Sequence, residues 1–204
     1  AHAKSSELIQ ENKKIWAVPN QCEIKEVEKG LLYINNDSIK YIYNSQEVCS
    51  IKEGYLTHII DSECLYLVTN NNQNIYLRSI NLNDKKESII LLNMNSCNQI
   101  VIIDDELTLI GSSDNDACIT KYNKNLNFLY EYKFGGTNYE EFVKLYYYNN
   151  KYYLIGKKDA HSKNSPFMDV GSSGEVKTFA CIIDNKGIIE DSIYFNFNEP
   201  NELL

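Results

Sequence analysis

The chain has 204 residues, of which 43% are apolar, and a formal net charge of −8 from 20 Lys+Arg and 28 Asp+Glu. This length fits one domain of an all-β fold, and the supply of Ile, Leu, Val and Tyr excludes a disordered chain. The acidic balance, with Arg78 as its one arginine, argues against a nucleic-acid partner, and no apolar run reaches the roughly 18 residues of a membrane-spanning helix.

The N-terminal segment precedes the regular part of the sequence. Residues 1–14 are predicted to form a tail or short helix, because Ser5 is followed by an apolar pair and then by charges. Residues 15–204 are predicted to form a single domain. Residues 15–18 resemble an additional outer strand, and we expect it to pair with the last predicted strand, since a terminal strand often completes the last unit of a closed array.

From residue 23 onward one pattern occurs four times. Apolar runs end at Ile34, Val68, Ile110 and Ile155, at spacings of 34, 42 and 45 residues, and we expect these four side chains at equivalent buried positions. Each run belongs to a unit of four short predicted strands, separated by the Asn, Asp, Gly and Ser residues that favour tight turns. The predicted strands are 23–27, 31–34, 39–43, 47–51; 56–60, 65–68, 75–80, 87–92; 99–103, 107–110, 117–122, 128–134; and 142–147, 152–155, 179–183, 191–197.

Units of about 40 residues that each form a four-stranded antiparallel sheet are typical of propeller blades. We therefore predict an all-β fold, a small β-propeller of four four-stranded antiparallel blades. A fragment of a larger propeller is the alternative. The predicted blades cover about residues 15–53, 54–95, 96–137 and 138–204.

The third and fourth units resemble the bacterial β-propeller repeat of the SBBP type, best over residues 99–197. The matching segments are Gly111-Ser112-Ser113, Asp116-Ala117, residues 121–125 and residues 134–140. The last of these reads Phe-Gly-Gly-Thr-Asn-Tyr-Glu. Asn125 stands where the repeat usually has Gly. The resemblance implies a fold and a location more than an activity, because members of that group are mostly exported or surface-attached bacterial proteins.

The sequence predicts no catalytic site, no metal site and no cofactor. The acidic residues 104–106 and 114–116 flank one predicted strand and lie roughly 17–24 Å apart by strand rise, so they are interpreted as turn residues. The histidines His2, His58 and His161 have no partner at a spacing typical of nucleophilic catalysis.

The six cysteines have irregular spacing and form no zinc-binding pattern. We expect mostly free thiols that act as small apolar side chains. Disulfides in an oxidising compartment are the alternative.

Two features of the fourth unit suggest binding. Three consecutive tyrosines, residues 146–148, must point to alternating faces of a strand, so one should pack between blades and another should be exposed. Residues 156–177 form a predicted loop much longer than its counterparts, and long loops in compact repeats are often functional. The predicted binding residues are Lys157, Lys158, Asp159, His161, Lys163, Phe167, Met168, Asp169, Tyr147 and Tyr153.

The favoured function is a non-catalytic binding module that presents rim loops to a protein or glycan. The resemblance implies an extracellular or cell-surface location, with the cytoplasm as the alternative. A glycan-active enzyme would require acidic residues that converge at the propeller axis. A purely structural repeat of a coat or surface assembly is the second alternative.

Overall fold

The computed structural model describes residues 7–11, 14–18, 23–27, 30–35, 38–159, 166–167 and 177–195. Within these ranges every regular element is a β-strand. None of the described residues belongs to a helix long and apolar enough to cross a membrane.

The first two strands form a separate hairpin. Strands β1 (Glu7–Glu11) and β2 (Lys14–Val18) are antiparallel, with Ile9 opposite Trp16. The predicted short helix is therefore wrong, because cross-strand pairing outweighs a weak local helix propensity. The expected pairing of β2 with the last strand is also wrong: β2 pairs with β1, and a two-residue connection closes at lower entropic cost than a contact between distant parts of the chain.

The other sixteen strands form four four-stranded antiparallel sheets, each built from four consecutive strands. All sixteen coincide with predicted strands, so the prediction of four repeated four-stranded units is confirmed. The first and second sheets contain β3 (Glu23–Val27), β4 (Gly30–Asn35), β5 (Ser38–Tyr43), β6 (Gln46–Ile51), and β7 (Gly54–Asp61), β8 (Cys64–Asn71), β9 (Asn74–Asn81), β10 (Glu87–Leu92). The third and fourth sheets contain β11 (Ser96–Ile103), β12 (Glu106–Ser113), β13 (Asp116–Tyr122), β14 (Phe128–Phe134), and β15 (Glu140–Tyr148), β16 (Lys151–Lys158), β17 (Lys177–Asp184), β18 (Ile189–Phe195).

Tight two-residue turns close many of the hairpins. Both central residues of such a turn have positive φ, which matches the twist of the strands that it joins. Asn and Asp tolerate this conformation better than other non-glycine residues, and one of them opens every one of these turns. The pairs are Asn44-Ser45, Asn72-Gln73, Asp104-Asp105, Asp114-Asn115 and Asn149-Asn150.

The pairing register shows that the sheets are true repeats. Ile34, Val68, Ile110 and Ile155 are each the fifth residue of the second strand of their sheet. In the last three sheets a bulge in the first strand lies beside this position, where one residue of that strand is left unpaired. Ile34, Val68 and Ile110 are buried as expected, whereas Ile155 is only half-buried. The predicted burial is therefore wrong for Ile155, whose side chain lies on the face of the fourth sheet that points away from the third sheet.

The chain divides into two compact units, Ala1–Ile90 and Leu91–Leu204. Each has its own apolar core between two consecutive sheets. The core of the first unit contains Leu32, Ile34, Ile39, Tyr41, Val48, Ile51, Leu65, Leu67, Ile80 and Leu82. The core of the second unit, here called the inter-sheet core, contains Ile103, Ile110, Ala117, Ile119, Phe134, Phe142, Leu145, Tyr152, Leu154, Phe167, Phe179, Cys181 and Ile183.

Candidate functional site

Two of the lysines predicted to lie in a loop belong to a strand. Strand β16 continues through Lys157 and Lys158, which pair with Glu141 and Glu140 of β15. Successive strand residues point to opposite faces, so Lys157 is half-exposed whereas Lys158 is fully buried. The ammonium group of Lys158 donates to the backbone carbonyl of Phe167 at 3.3 Å. Lys158 therefore stabilises the fold and is not available to a partner.

Phe167, predicted as a binding residue of the long loop, lies in the inter-sheet core with no exposed surface. Its ring stacks on Phe179 and contacts Phe142 and Phe134. Three strands supply the aromatic pocket that covers Phe167, so its ring is not available to a partner.

The remaining predicted loop residues are only partly described. The backbone N–H of Asp159 donates to the carbonyl of Tyr139 at 2.8 Å. Four others lie outside the described residues, and binding by the loop stays a prediction. They are His161, Lys163, Met168 and Asp169.

The structure does not bring Tyr147 and Tyr153 together, because they point to opposite faces of the fourth sheet. Tyr147 packs against Tyr152 with ring centroids 5.1 Å apart, and its hydroxyl donates to Asp104 at 3.4 Å. Burial and the nearby carboxylate of Asp104 raise the pKa of Tyr147. Tyr153 lies opposite Tyr146 on the other face. The expected division of residues 146–148 between the two faces is confirmed.

That other face is the candidate site, here called the outer face of the fourth sheet. Its central side chains come from all four strands and pair across them in register. They line a groove of about 350 Å³ together with Leu154, Cys181, Asp191 and Ser192. The central side chains are Tyr146, Tyr153, Ile155, Ala180, Ile182 and Ile193.

The outer face is apolar and accessible. Tyr146 is 58% exposed and Ile193 is 53% exposed, while the side chains between them are half-buried. Contiguous exposed apolar surface on a soluble protein usually marks an interaction site. Tyrosine rings add contact area at low entropic cost.

Charges are distributed unevenly around the groove. Lys144 and Lys157 lie on the β15–β16 half, where the ammonium group of Lys144 sits 5.9 Å from the ring centre of Tyr146. Asp191 lies on the β17–β18 half. Lys151 donates to Glu190 at 2.5 Å, and this hydrogen bond raises the pKa of Lys151. The face thus has a basic half and an acidic half.

The acidic segments that the sequence singled out act in turns and ion pairs. Asp105 pairs with Lys124, Glu106 pairs with Lys121 at 3.1 Å, and Asp114 accepts from Lys133 at 2.5 Å. Their interpretation as turn residues is supported, since residues 104, 105 and 114 have positive φ. Among the described residues, no group of three or more His, Cys, Asp or Glu side chains could hold a metal ion.

The sequence reasoning missed Ala180, Ile182 and Ile193. The sequence of β17 could have indicated that its residues are apolar on both faces of the sheet, because residues 179–183 are all apolar. Such a run is typical of a strand that is covered on both sides. Within the second unit, the face with Phe179, Cys181 and Ile183 belongs to the inter-sheet core, and the face with Ala180 and Ile182 does not.

No protein-family model matches the chain, and no curated protein matches it in sequence. The fold is similar to the WD40 domain of Neurospora crassa Pan2, with a TM-score of 0.53 and 10% identity over 85% of this chain and 51% of that one. It is also similar to the N-terminal domain of Nup159, with a TM-score of 0.50 and 11% identity over 89% of this chain and 49% of that one. This chain therefore spans about half the length of both.

These similarities show the kind of fold. The four sheets are blades of the β-propeller type, which confirms the predicted fold class. The chain is consistent with a four-bladed propeller or with four blades of a larger one.

Proposed function

We propose that the chain is a non-catalytic interaction module that binds a protein partner through the outer face of its fourth sheet. The observation that carries this proposal is the exposed groove between Tyr146 and Ile193. Apolar side chains from four rigid strands form its floor, and aromatic and aliphatic anchors in such pockets dominate binding energy at protein interfaces.

A protein fits this surface better than a glycan does. The floor of the groove is formed by Ile155, Ala180, Ile182 and Ile193, which offer no hydrogen bonds to sugar hydroxyls. A glycan would leave many of its polar groups unpaired against such a floor, and this is costly. The polar rim, with Lys144 and Asp191, suits the rim of a protein interface.

We also propose an extracellular or cell-surface location. The support is the resemblance of residues 99–197 to SBBP-type repeats, which are mostly exported. Treatment of intact cells with a membrane-impermeant protease tests this proposal: digestion without lysis supports export, and full protection contradicts it.

Site-specific photo-cross-linking tests the binding surface. A benzophenone amino acid at position 146 should yield cross-linked protein adducts in cells that make the chain, because Tyr146 borders the groove. The matched control is position 128, where Phe128 is 59% exposed on β14. Equal labelling from both positions, or none from position 146, would contradict the proposed function.

A further inference from the structure

One buried hydroxyl of the second unit lacks a hydrogen-bond partner. The side chain of Thr108 on β12 is fully buried, and none of the described residues bonds its Oγ1 atom. Thr108 lies two positions before Ile110, so its side chain points to the same face of the third sheet, which packs into the inter-sheet core. A buried hydroxyl without a partner costs free energy, and in native structures such groups are usually bonded to protein or to ordered water.

The neighbours of this hydroxyl are charged. Lys121 of β13 lies directly opposite Thr108 and is also buried, and residues in such positions have Cβ atoms about 4.5–5.5 Å apart. The ammonium group of Lys121 donates to the carboxylate of Glu106 at 3.1 Å. Glu106 lies two positions before Thr108 and shares its face. Three polar side chains, one of them without a bond, therefore adjoin within the packed interior of the unit.

The fourth sheet closes this place from the other side. The ring centre of Tyr152 on β16 is 5.9 Å from the ammonium nitrogen of Lys121, and Tyr152 is buried. Burial disfavours the charged form of Lys121, but the hydrogen bond to Glu106 and the contact with Tyr152 outweigh it and raise the pKa of Lys121. Lys121 is therefore an ammonium group with three N–H donors, of which Glu106 accepts one.

The first sheet shows that the repeat does not require charges at this place. Thr108 and Leu32 are each the third residue of the second strand of their sheet, and the residues opposite them are Lys121 and Tyr41. Leu32 and Tyr41 are fully buried in the core of the first unit. Threonine and lysine are smaller than leucine and tyrosine. The third sheet thus has more polar groups and less side-chain volume at the equivalent positions.

We propose that one buried water molecule binds between the third and fourth sheets, at the hydroxyl of Thr108 and the ammonium group of Lys121, with the carboxylate of Glu106 as its third partner. Buried waters make about three hydrogen bonds to groups that the protein leaves unpaired. The water accepts from Lys121, donates to Glu106 and bonds the hydroxyl of Thr108. Water fits better than an anion, because Glu106 already balances the charge of Lys121 and repels a second negative charge. This site is separate from the outer face and does not depend on the proposed function.

A crystal structure of the full chain at about 1.5 Å resolution, grown with bromide in place of chloride, tests the proposal directly. We expect a peak of electron density within about 3.2 Å of both Thr108 Oγ1 and Lys121 Nζ, without an anomalous signal from bromine. A site without density would overturn the proposal, and so would a bromine signal, which would assign the site to a halide ion.

A second test in solution uses the sign of a stability change. Thr108→Val keeps the shape of the side chain and removes its hydroxyl. Loss of a bond to the water should lower the equilibrium constant for folding by about fivefold, whereas removal of an unbonded hydroxyl is neutral or stabilising. Urea unfolding measures the constant, and unchanged circular dichroism shows that the variant folds.

The matched reference is Thr120→Val. Thr120 is a buried threonine of β13 whose hydroxyl donates to Glu131 at 3.0 Å, so this variant loses a known hydrogen bond. We expect Thr108→Val to lower the equilibrium constant for folding by a similar factor. A constant that Thr108→Val leaves unchanged or raises would contradict the buried water.

Discussion

The ring of Phe167 stacks on the ring of Phe179, with centroids 4.0 Å apart and planes 18° from parallel. The ring of Phe142 contacts the ring of Phe167 edge-on, with centroids 5.9 Å apart. Together with the hydrogen bond from Lys158 to the carbonyl of Phe167, these contacts bind part of the long fourth-unit connection to the inter-sheet core. Phe167 is thus a structural residue of the second unit.

Replacement of Phe167 should destabilise the fold strongly. We expect Phe167→Ala to lower the free energy of unfolding by about 3–4 kcal/mol, since it removes a fully buried ring and leaves a cavity. Urea unfolding followed by far-UV circular dichroism measures this loss. Phe128→Ala is the matched control, and a change within about 1 kcal/mol is expected there because Phe128 is 59% exposed.

The same contacts determine what deletion of residues 160–173 does. Loop length alone predicts a small effect, but the deletion also removes Phe167. We expect a loss of stability similar to that of Phe167→Ala. If the deletion variant and Phe167→Ala are both as stable as the parent chain, the aromatic packing described above is wrong.

The strands were predictable because the turn residues that separate them are recognisable from the local sequence. Asn72 and Asn149 open turns whose conformation is compatible with few residues, and such turns divide the apolar runs at regular intervals. The packing of Phe167 was not predictable, because its partners Phe134 and Phe142 come from other strands. No local pattern encodes that contact.

The partial exposure of Ile155 on the outer face was not predictable for a related reason. Ile155 carries the repeat signature of Ile110, and the sequence predicted the same burial for both. Burial depends on whether another sheet covers the position, which is a property of the assembly and not of the strand. The pairing register places Ala180 and Ile193 beside Ile155 on the same face, and this neighbourhood is not visible in the sequence.

A strained turn offers a gain in stability. Gln73 has φ +73°, a left-handed conformation that is costly for a residue with a Cβ atom and that glycine adopts freely. We expect Gln73→Gly to raise the free energy of unfolding by about 1 kcal/mol. The matched control is Asn83→Gly, an exposed position without positive φ, which should gain nothing. Equal effects of both changes would contradict the assignment of strain to residue 73.

Thiol labelling should separate the described cysteines by burial. All five, Cys49, Cys64, Cys97, Cys118 and Cys181, are free thiols. Burial raises the pKa of Cys118 and of Cys181 to about 12, and the thiolate is the reactive form. With iodoacetamide at pH 8 we expect Cys64, which is half-buried, to react first. Cys118 and Cys181 should react only after denaturation. Peptide mass mapping measures each site, and modification of Cys118 as fast as Cys64 would contradict its burial.

The last prediction concerns Arg78 and its pH dependence. Its guanidinium donates to Glu53 at 2.8 Å and also to Glu87, and the side chains of Arg78 and Glu53 are 11% and 12% exposed. Burial disfavours the charged form of Glu53, but hydrogen bonds from Thr69 and Arg78 outweigh it. The pKa of Glu53 therefore lies below its ordinary value.

A carboxyl group with a lowered pKa stabilises the fold above its unfolded pKa of about 4.3, and this contribution is lost as the pH falls through the folded pKa. We expect Arg78→Met to lower the free energy of unfolding by about 3 kcal/mol at pH 7 and by clearly less at pH 3. Urea unfolding at both pH values measures the difference. Lys86→Met is the control, because Lys86 is 86% exposed, and a change within about 0.5 kcal/mol is expected at either pH. A loss in Arg78→Met that is equal at pH 7 and pH 3 would show that the guanidinium contributes by packing and not by its charge.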